Sequence, residues 1–362
     1  MLNIATGLAQ QHPDVDVDLV LASRTGPYLD QVPPEVRVVD LEAGRISAAA
    51  LPLRRYIARE RPDAVISALD PANLLTALIS RTVRDRPRVI VTEHCDFSSA
   101  VEAAKASPRR VTQVLASVLP RLVRAIYPLS AEVVAVSEGV ADDLAETTGL
   151  DRASIEVVGN PVINDSVRAK AQAHVEHRFF DEGVPVVLGI GRLSYQKNFE
   201  LLIDAFHQAQ AARPMRLIIL GEGDLRDSLT EQVKTLDLTD VVDMPGFVDN
   251  PYGYMSRADV FAMSSHFEGL PTVLIEALYC GAEVVSVDCP SGPLEILDNG
   301  KYGTLVPPGD TAALADAIVG ALDTGRPPNP ERSWDRYEEL HVVGEYLRLC
   351  GGVERTQSRV SG

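Results

Sequence analysis

Apolar positions along the chain follow two alternating patterns. Short β-branched runs mark strands: "VDLVLA" (17–22), "VRVVD" (36–40), "AVISAL" (64–69), "RVIVT" (88–92) and "VVAVS" (133–137) in the first half. The second half repeats the plan with "PVVLGIG" (185–191), "RLIILG" (216–221), "DVFAM" (259–263), "EVVSV" (283–287) and "GTLVP" (303–307). Stretches such as "AAALPLRRYIARERP" lie between them and carry apolar residues at helical spacing. Alternation of this kind predicts βαβ units with parallel sheets and helices on both faces, an α/β chain of two doubly wound, Rossmann-like domains. The polar, strand-poor segment 161–183 reads as a linker between domains at 1–160 and 184–330, with an amphipathic helix over 331–350. Two such domains are expected to face a cleft at the carboxyl ends of their strands.

Composition narrows the class. The chain has 362 residues, 46% hydrophobic and 23% charged, as in a globular protein of two domains. No apolar run is long enough to span a bilayer, and no secretory signal opens the sequence. Cys95, Cys280, Cys289 and Cys350 lack metal or redox spacing and read as reduced thiols of a cytoplasmic protein. A net charge of −17 argues against nucleic acid as a partner. Only five lysines stand against 29 arginines, which fits a GC-rich genome, with a salt-adapted surface as the alternative.

Candidate chemistry lies in "EGLPTVLIEAL" (268–278). Pro271 suits a first helical turn and Gly281 can end the helix, so Glu268 precedes that helix and Glu276 lies within it. Free N–H groups at Gly269, Leu270 and Thr272 can hold oxygens. A ligand offering hydroxyls at both ends, such as a sugar joined to a ribose, would span the two carboxylates. A dipole-capping Glu268 and a solvated Glu276 fit the same spacing. In "GIGRLSYQKN" (189–198), Gly191 lets the chain turn after a strand, and Arg192 and Lys197 precede a helix that Asn198 can cap. Two cations beside a helix start can hold a diphosphate without a metal. An ordinary basic loop is the alternative.

Taken with "GEGDLRDSL" (221–229), "GFVDNPYGYMSRADVFAMSSHFEGLPTVLIEAL" (246–278) and "GPLEILDNGKYGTLVPPGD" (292–310), these segments resemble the retaining GT-B glycosyltransferases of family 4. The resemblance implies that Glu268 lies beside the transferred sugar and Glu276 binds ribose hydroxyls. It implies that Arg192 and Lys197 hold the diphosphate and that Gly246, Phe247 and Val248 lie next to the base. It also implies a last helix packed on the first domain, metal-independent chemistry and no cofactor. "DCPSGPLEIL" (288–297) resembles bacterial hexosaminyltransferases that extend polyprenyl-diphosphate-linked oligosaccharides. A hexosyltransferase is therefore expected, using a nucleotide-sugar, UDP-linked in preference, and a glycan or lipid-linked acceptor in surface polysaccharide assembly. "VIVTEHCDF" (89–97) resembles the family's strand followed by a histidine, which makes His94 a candidate to contact donor or acceptor; a packed or capping histidine is the alternative.

The start departs from the family. "MLNIATGLAQ" is already helical in pattern, so the first strand and its Gly-Gly loop are expected to be missing from the first domain. About 15–25 further residues upstream would supply them by resemblance to the family, given that a parallel sheet otherwise stays open at its middle. The alternative is a catalytically impaired nucleotide-sugar-binding or scaffold protein. An epimerase on the same two-domain plan would need acid–base residues in the first domain, and "GRLSYQKN" with "EGLPTVLIE" favours transfer.

Other signals carry less. "DVDVD" (14–18) matches a D-x-D metal pattern but leads into a strand. His174 and His177 are expected in solvent, Glu295 reads as structural and His266 as scaffold. Residues 103–131 carry Lys105, Arg109, Arg110, Arg121 and Arg124 with no acid, and Val111, Val114, Leu115, Val118, Leu119 and Leu122 recur at helical spacing. Such a segment can lie on an anionic membrane, so the protein is expected in the cytoplasm with peripheral contact at the inner face of the cell membrane. A core-packed helix with solvated arginines fits the same pattern.

Overall fold

A computed structural model describes residues 1–25, 29–105, 110–324 and 333–352. The chain divides into two units, Met1–Pro161 with Glu338–Gly362, and Val162–Tyr337.

The first unit runs α1 (Leu2–Gln11), β1 (Val17–Leu21), β2 (Val36–Asp40), α2 (Ala50–Glu60), β3 (Ala64–Ala68), α3 (Asp70–Ser80), β4 (Arg88–Glu93), α4 (Phe97–Lys105), α5 (Arg110–Ile126), β5 (Glu132–Ala135), α6 (Glu138–Thr148) and β6 (Ile155–Val157). Its strands form two parallel sheets, β1–β2 and β3–β4–β5–β6. The expected interruption falls between β1 and β3, which no described ladder joins. Strand β4 is buried over Val89–Glu93, as a central parallel strand should be, whereas β1 is half-buried throughout. Helix caps follow local chemistry. Ser137 accepts from Val140 N at the start of α6, and Gly149 ends that helix in the left-handed region.

The second unit runs α7 (Asp165–Gln172), β7 (Val186–Ile190), α8 (Phe199–Ala212), β8 (Arg216–Leu220), α9 (Arg226–Thr235), β9 (Val242–Gly246), α10 (Pro251–Arg257), β10 (Val260–Met263), α11 (Thr272–Cys280), β11 (Glu283–Val287), α12 (Pro293–Ile296), β12 (Thr304–Val306) and α13 (Thr311–Thr324). One parallel sheet has the order β12–β11–β10–β7–β8–β9. Val187, Leu188, Ile218, Ile219, Val260, Phe261 and Val285 fill its interior. Each such side chain contributes roughly 1.5–3 kcal/mol relative to exposure. Helix α14 (Glu339–Leu349) belongs to the first unit, where Val342, Val343 and Tyr346 pack with Ile4 and Leu8 of α1.

Two strands were missed by pattern. β6 has three residues, and β9 is "VDMPG", whose proline is tolerated because β9 lies at the sheet edge. The linker reading is corrected. The second unit begins at Val162 and takes in α7 and residues 173–183. Asn250 Nδ2 donates to Lys170 O at 3.0 Å and Ser256 Oγ to Ala171 O at 2.8 Å, so α10 holds that polar segment in place.

Candidate active site

The sheet order reverses at β7, whose neighbours are β8 and β10. Ligands of open α/β sheets bind at such a switch point, beyond the strands' carboxyl ends. The loops leaving β7 and β10 meet there. Ser264 Oγ donates to Lys197 O at 3.0 Å, His266 N to Gln196 O at 2.8 Å, and Gln196 Nε2 to Phe267 O at 3.1 Å. These bonds bring Lys197 and Glu268, 71 residues apart in sequence, to 2.6 Å between Nζ and Oε1. Ser265 Oγ also donates to Glu268 Oε1 at 2.6 Å. Glu268 is buried and Arg192 is exposed, with no ion pair for Arg192 among the described residues.

Close backbone approach shapes this loop. A Cβ on Gly221 would stand 1.9 Å from Gly191 O, so "GEG" acts as a backing for the Gly191 turn. Asn198 does not cap α8 through its side chain. It adopts φ 49°, ψ 49°, a left-handed conformation that asparagine tolerates, and the backbone turn itself starts the helix. Cys289 is buried close to this cluster, and burial followed by the Glu268 charge pushes its thiol up to about 12.

Helix α11 starts after Pro271, and Thr272 opens it as its first residue. The N–H of Thr272 therefore precedes the helix's own hydrogen-bond ladder. Gly269, Leu270 and Pro271 form the turn between Glu268 and that start, with Leu270 and Pro271 buried. Glu276 is partly buried and accepts from Tyr252 Oη at 3.4 Å. Burial pushes its carboxyl up to about 7. Gly246 closes β9 at φ 93°, where a Cβ would meet Glu222 Oε1 at 2.7 Å. Phe247 follows at 79% exposure, an apolar ring presented to solvent beside Val248.

His94 belongs to the first unit, directly after β4. Thr92 Oγ1 lies 2.8 Å from Ser67 O, to which only the hydroxyl can donate. With its one proton committed there, Thr92 accepts from His94 Nε2 at 2.9 Å, which fixes the proton on Nε2. The His94 ring also meets the Asn160 side chain, and burial pushes its pKa down to about 4, so the imidazole is neutral.

Sequence reasoning missed several residues. Glu93, the residue before His94, is buried and accepts from Asn73 Nδ2 at 2.9 Å and from Tyr127 Oη. Burial and the nearby Asp70 charge hold its carboxyl well above the usual range. Ser265 and Gln196 carried no signal beyond their neighbours. His177 is corrected: its side chain is buried, 2.9 Å from Asp243 Oδ2, with its ring edge-on to Phe179. His266 stacks on the exposed Tyr195, with ring centroids 4.4 Å apart. Asp18 of "DVDVD" accepts from Arg37 Nε at 2.8 Å and Tyr56 Oη at 2.7 Å, which ties β1 to β2 and α2. Glu295 pairs with Arg336 at 3.4 Å.

Comparison with known proteins places this geometry in a family. Residues 1–165 match Glycosyltransferase Family 4, and residues 171–339 match Glycosyl transferases group 1. The N-acetylgalactosamine-N,N'-diacetylbacillosaminyl-diphospho-undecaprenol 4-alpha-N-acetylgalactosaminyltransferase of Campylobacter jejuni is 32% identical over 232 residues, covering 64% of this chain and 59% of that protein. The GalNAc-alpha-(1->4)-GalNAc-alpha-(1->3)-diNAcBac-PP-undecaprenol alpha-1,4-N-acetyl-D-galactosaminyltransferase of the same organism is 24% identical, covering 98% of this chain and 94% of that protein. The crystal structure of Anabaena HepE in complex with UDP superposes with a TM-score of 0.72 at 19% identity, over 97% of this chain and 95% of that one, a likeness of fold. With a family 4 match in its first unit, a group 1 match in its second and two Rossmann-like units of GT-B type, the chain belongs to the family 4 glycosyltransferases.

Proposed function

We propose that the protein is a retaining hexosyltransferase that moves a sugar, an N-acetylhexosamine or hexose, from a UDP-sugar to a glycan or lipid-linked acceptor in surface glycoconjugate assembly. The observation that carries this reading is the Lys197–Glu268 pair at the switch point, with Arg192, in no ion pair among the described residues, five positions before Lys197 in the loop that leaves β7. When the nucleoside diphosphate departs, negative charge grows on its oxygens and positive charge on the anomeric carbon. Arg192, Lys197 and the start of α11 stabilise the first. Glu268, kept in place by Ser265, faces the second. Glu276 accepts from ribose hydroxyls, and the exposed Phe247 beside Gly246 and Val248 offers a face to the base. His94, neutral in its pocket, contacts a sugar hydroxyl by exchanging its bond to Thr92 or Asn160 for one to the sugar. Because two cations serve the diphosphate, no divalent ion is needed there.

The names of the two Campylobacter relatives, both acting on undecaprenyl diphosphate-linked substrates, support the acceptor class, and UDP bound to HepE supports the donor class. Among the described residues no helix is long and apolar enough to cross a membrane. Contact with the lipid surface is assigned instead to α5. Val114, Leu115 and Leu122 are exposed on it, beside Arg110, Arg121 and Arg124, and its sequence has no acid. Arg109 lies outside the described residues.

The experiment is a panel of UDP-, GDP- and ADP-sugars with a polyprenyl-diphosphate-linked oligosaccharide, following nucleotide release and the anomeric configuration of the product. Inversion would overturn the retaining mechanism. Tight nucleotide-sugar binding without turnover would favour the impaired, scaffold reading.

A further inference from the structure

A separate feature lies in the first unit, where β4 ends against the start of α3. Glu93, the last residue of β4, is 4% exposed. Its Oε1 accepts from Asn73 Nδ2 at 2.9 Å and from Tyr127 Oη, and Tyr127 Oη also stands 3.5 Å from Asp70 Oδ1. The carboxyls of Glu93 and Asp70 bond to each other. Asn73 Nδ2 has further acceptors in Thr92 O at 3.0 Å and Tyr127 Oη at 3.2 Å. Asn73 and Tyr127 are fully buried.

A count of protons decides the charge. Two carboxyls, a phenol and a backbone carbonyl accept here, and the donors are one side-chain amide and one phenolic O–H. The shortage shows in Asn73, which turns its N–H groups to this cluster and leaves its buried Oδ1 without a partner. No lysine or arginine pairs with either carboxyl among the described residues. The strands flanking β4 place Ala68 and Ala135 beside this end, and neither titrates. Two negative charges so placed, one of them buried, would repel with no cation between them, so the pair keeps one proton. Asp70 is half-buried in the first turn of α3, where negative charge is favoured. Glu93 therefore carries the proton and donates it to Asp70. In agreement, burial and then the Asp70 charge push the Glu93 carboxyl up to about 8.

The pair reaches His94 through shared bonds. Asn73 Nδ2, which bonds Glu93, also bonds the carbonyl of Thr92, and Thr92 Oγ1 is the partner of His94 Nε2 at 2.9 Å. Leu69, directly before Asp70, is held at φ 77° and is 60% exposed, a strained start to α3 that persists only while its neighbours fix it. We infer that Glu93 and Asp70 are positioning residues: the single proton they share clamps α3 to the end of β4 and so sets the ring of His94. Loss of that proton puts two carboxylates against each other and loosens the His94 corner. The consequence for transfer, a failing hold on the sugar hydroxyl in alkaline solution, rests on the function proposed above; the positioning itself does not.

The test is nitrogen NMR of the whole protein labelled in its histidine rings, with the His94 signal assigned by His94→Gln and followed from about pH 6 to about pH 9. The pKa of His94 is pushed down to about 4, so its ring should be silent over that range unless a neighbour changes. A shift with its midpoint at the Glu93 value, about 8, is expected. Glu93→Gln keeps a donor toward Asp70 and an acceptor toward Asn73 and Tyr127, so its His94 signal should hold the parent's low-pH position throughout. Asp70→Asn, on the more exposed member, removes a charge that keeps the proton on Glu93 and should move the midpoint down. The Met1 amino group also lies near His94, and a shift that it causes would survive in Glu93→Gln. A parent signal that stays flat overturns the inference, as does a shift unchanged in Glu93→Gln. A shift that behaves as expected, beside turnover indifferent to the same pH range, keeps the positioning and removes the proposed sugar contact of His94.

Discussion

Lys197 Nζ lies 2.6 Å from Glu268 Oε1, with the two side chains 18% and 7% exposed, so the cation expected at the diphosphate is held by the carboxylate expected at the sugar. Arg192 is exposed and makes no ion pair among the described residues. The two cations therefore differ in what their removal does. Lys197→Met leaves a buried carboxylate without its partner and should lower stability by about 3–5 kcal/mol. Arg192→Ala should leave the melting temperature unchanged while costing turnover about 2–4 kcal/mol of transition-state stabilisation. Denaturant melts beside steady-state kinetics separate the two, and near-normal turnover in both variants would remove the diphosphate assignment.

Glu276 carries a pH signature. Its carboxyl is pushed up to about 7 by burial, so it is mostly protonated below that pH and ionised above it. Ribose hydroxyls donate best to the ionised form. UDP affinity should rise as pH passes upward through about 7, and Glu276→Gln should flatten the profile. Titrations at several pH values decide this, and a parallel rise in the variant would show that another group titrates.

Glu93 should shape stability in the opposite sense. Its folded-state pKa is raised by burial and by Asp70, above its unfolded value. The folded protein then binds more protons than the unfolded chain, and stability falls as pH rises above the ordinary carboxyl range. Glu93→Gln, which keeps the shape without the charge, should lose less stability between pH 5 and pH 8 than the parent, on the order-of-magnitude scale of one buried titration. Equal slopes in urea melts at the two pH values would rule out Glu93 as the source.

Transfer should survive EDTA. Asp18, the last carboxylate of "DVDVD", is already bonded to Arg37 and Tyr56, and the proposed diphosphate contacts are cationic side chains. Activity lost in chelator and restored by manganese would return a metal to the mechanism.

Vesicle binding tests α5. The protein should sediment with anionic liposomes at low salt and be released as salt rises, with roughly 1 kcal/mol for each cation near the surface. Changing Arg109, Arg110, Arg121 and Arg124 together to Gln should abolish sedimentation. Equal recovery on neutral and anionic vesicles would move the acceptor toward a soluble sugar.

Much of this protein follows from sequence for a physical reason. Parallel strands buried on both faces must be continuous apolar runs, and the sheet cores around Val187–Leu188 and Val89–Val91 were written that way. Pro271 and Gly281 announce α11, because one residue lacks an N–H and the other tolerates a left-handed end. Local chemistry of this sort acts within a few residues, so a sequence displays it. The segment before β7 shows the limit. Polarity there suggested a linker, yet contacts from Asn250, Ser256 and Asp243, distant in sequence, hold it in the second unit. The site divides in the same way. Arg192, Lys197, Glu268 and Glu276 were legible as residue types with regular spacing. Only the tertiary structure set β7 beside β10, joined Lys197 and Ser265 to Glu268, and fixed the tautomer of His94 through Thr92 and Ser67. Such pairings depend on which strand ends become neighbours, and strand order is decided by long-range packing that no local stretch encodes.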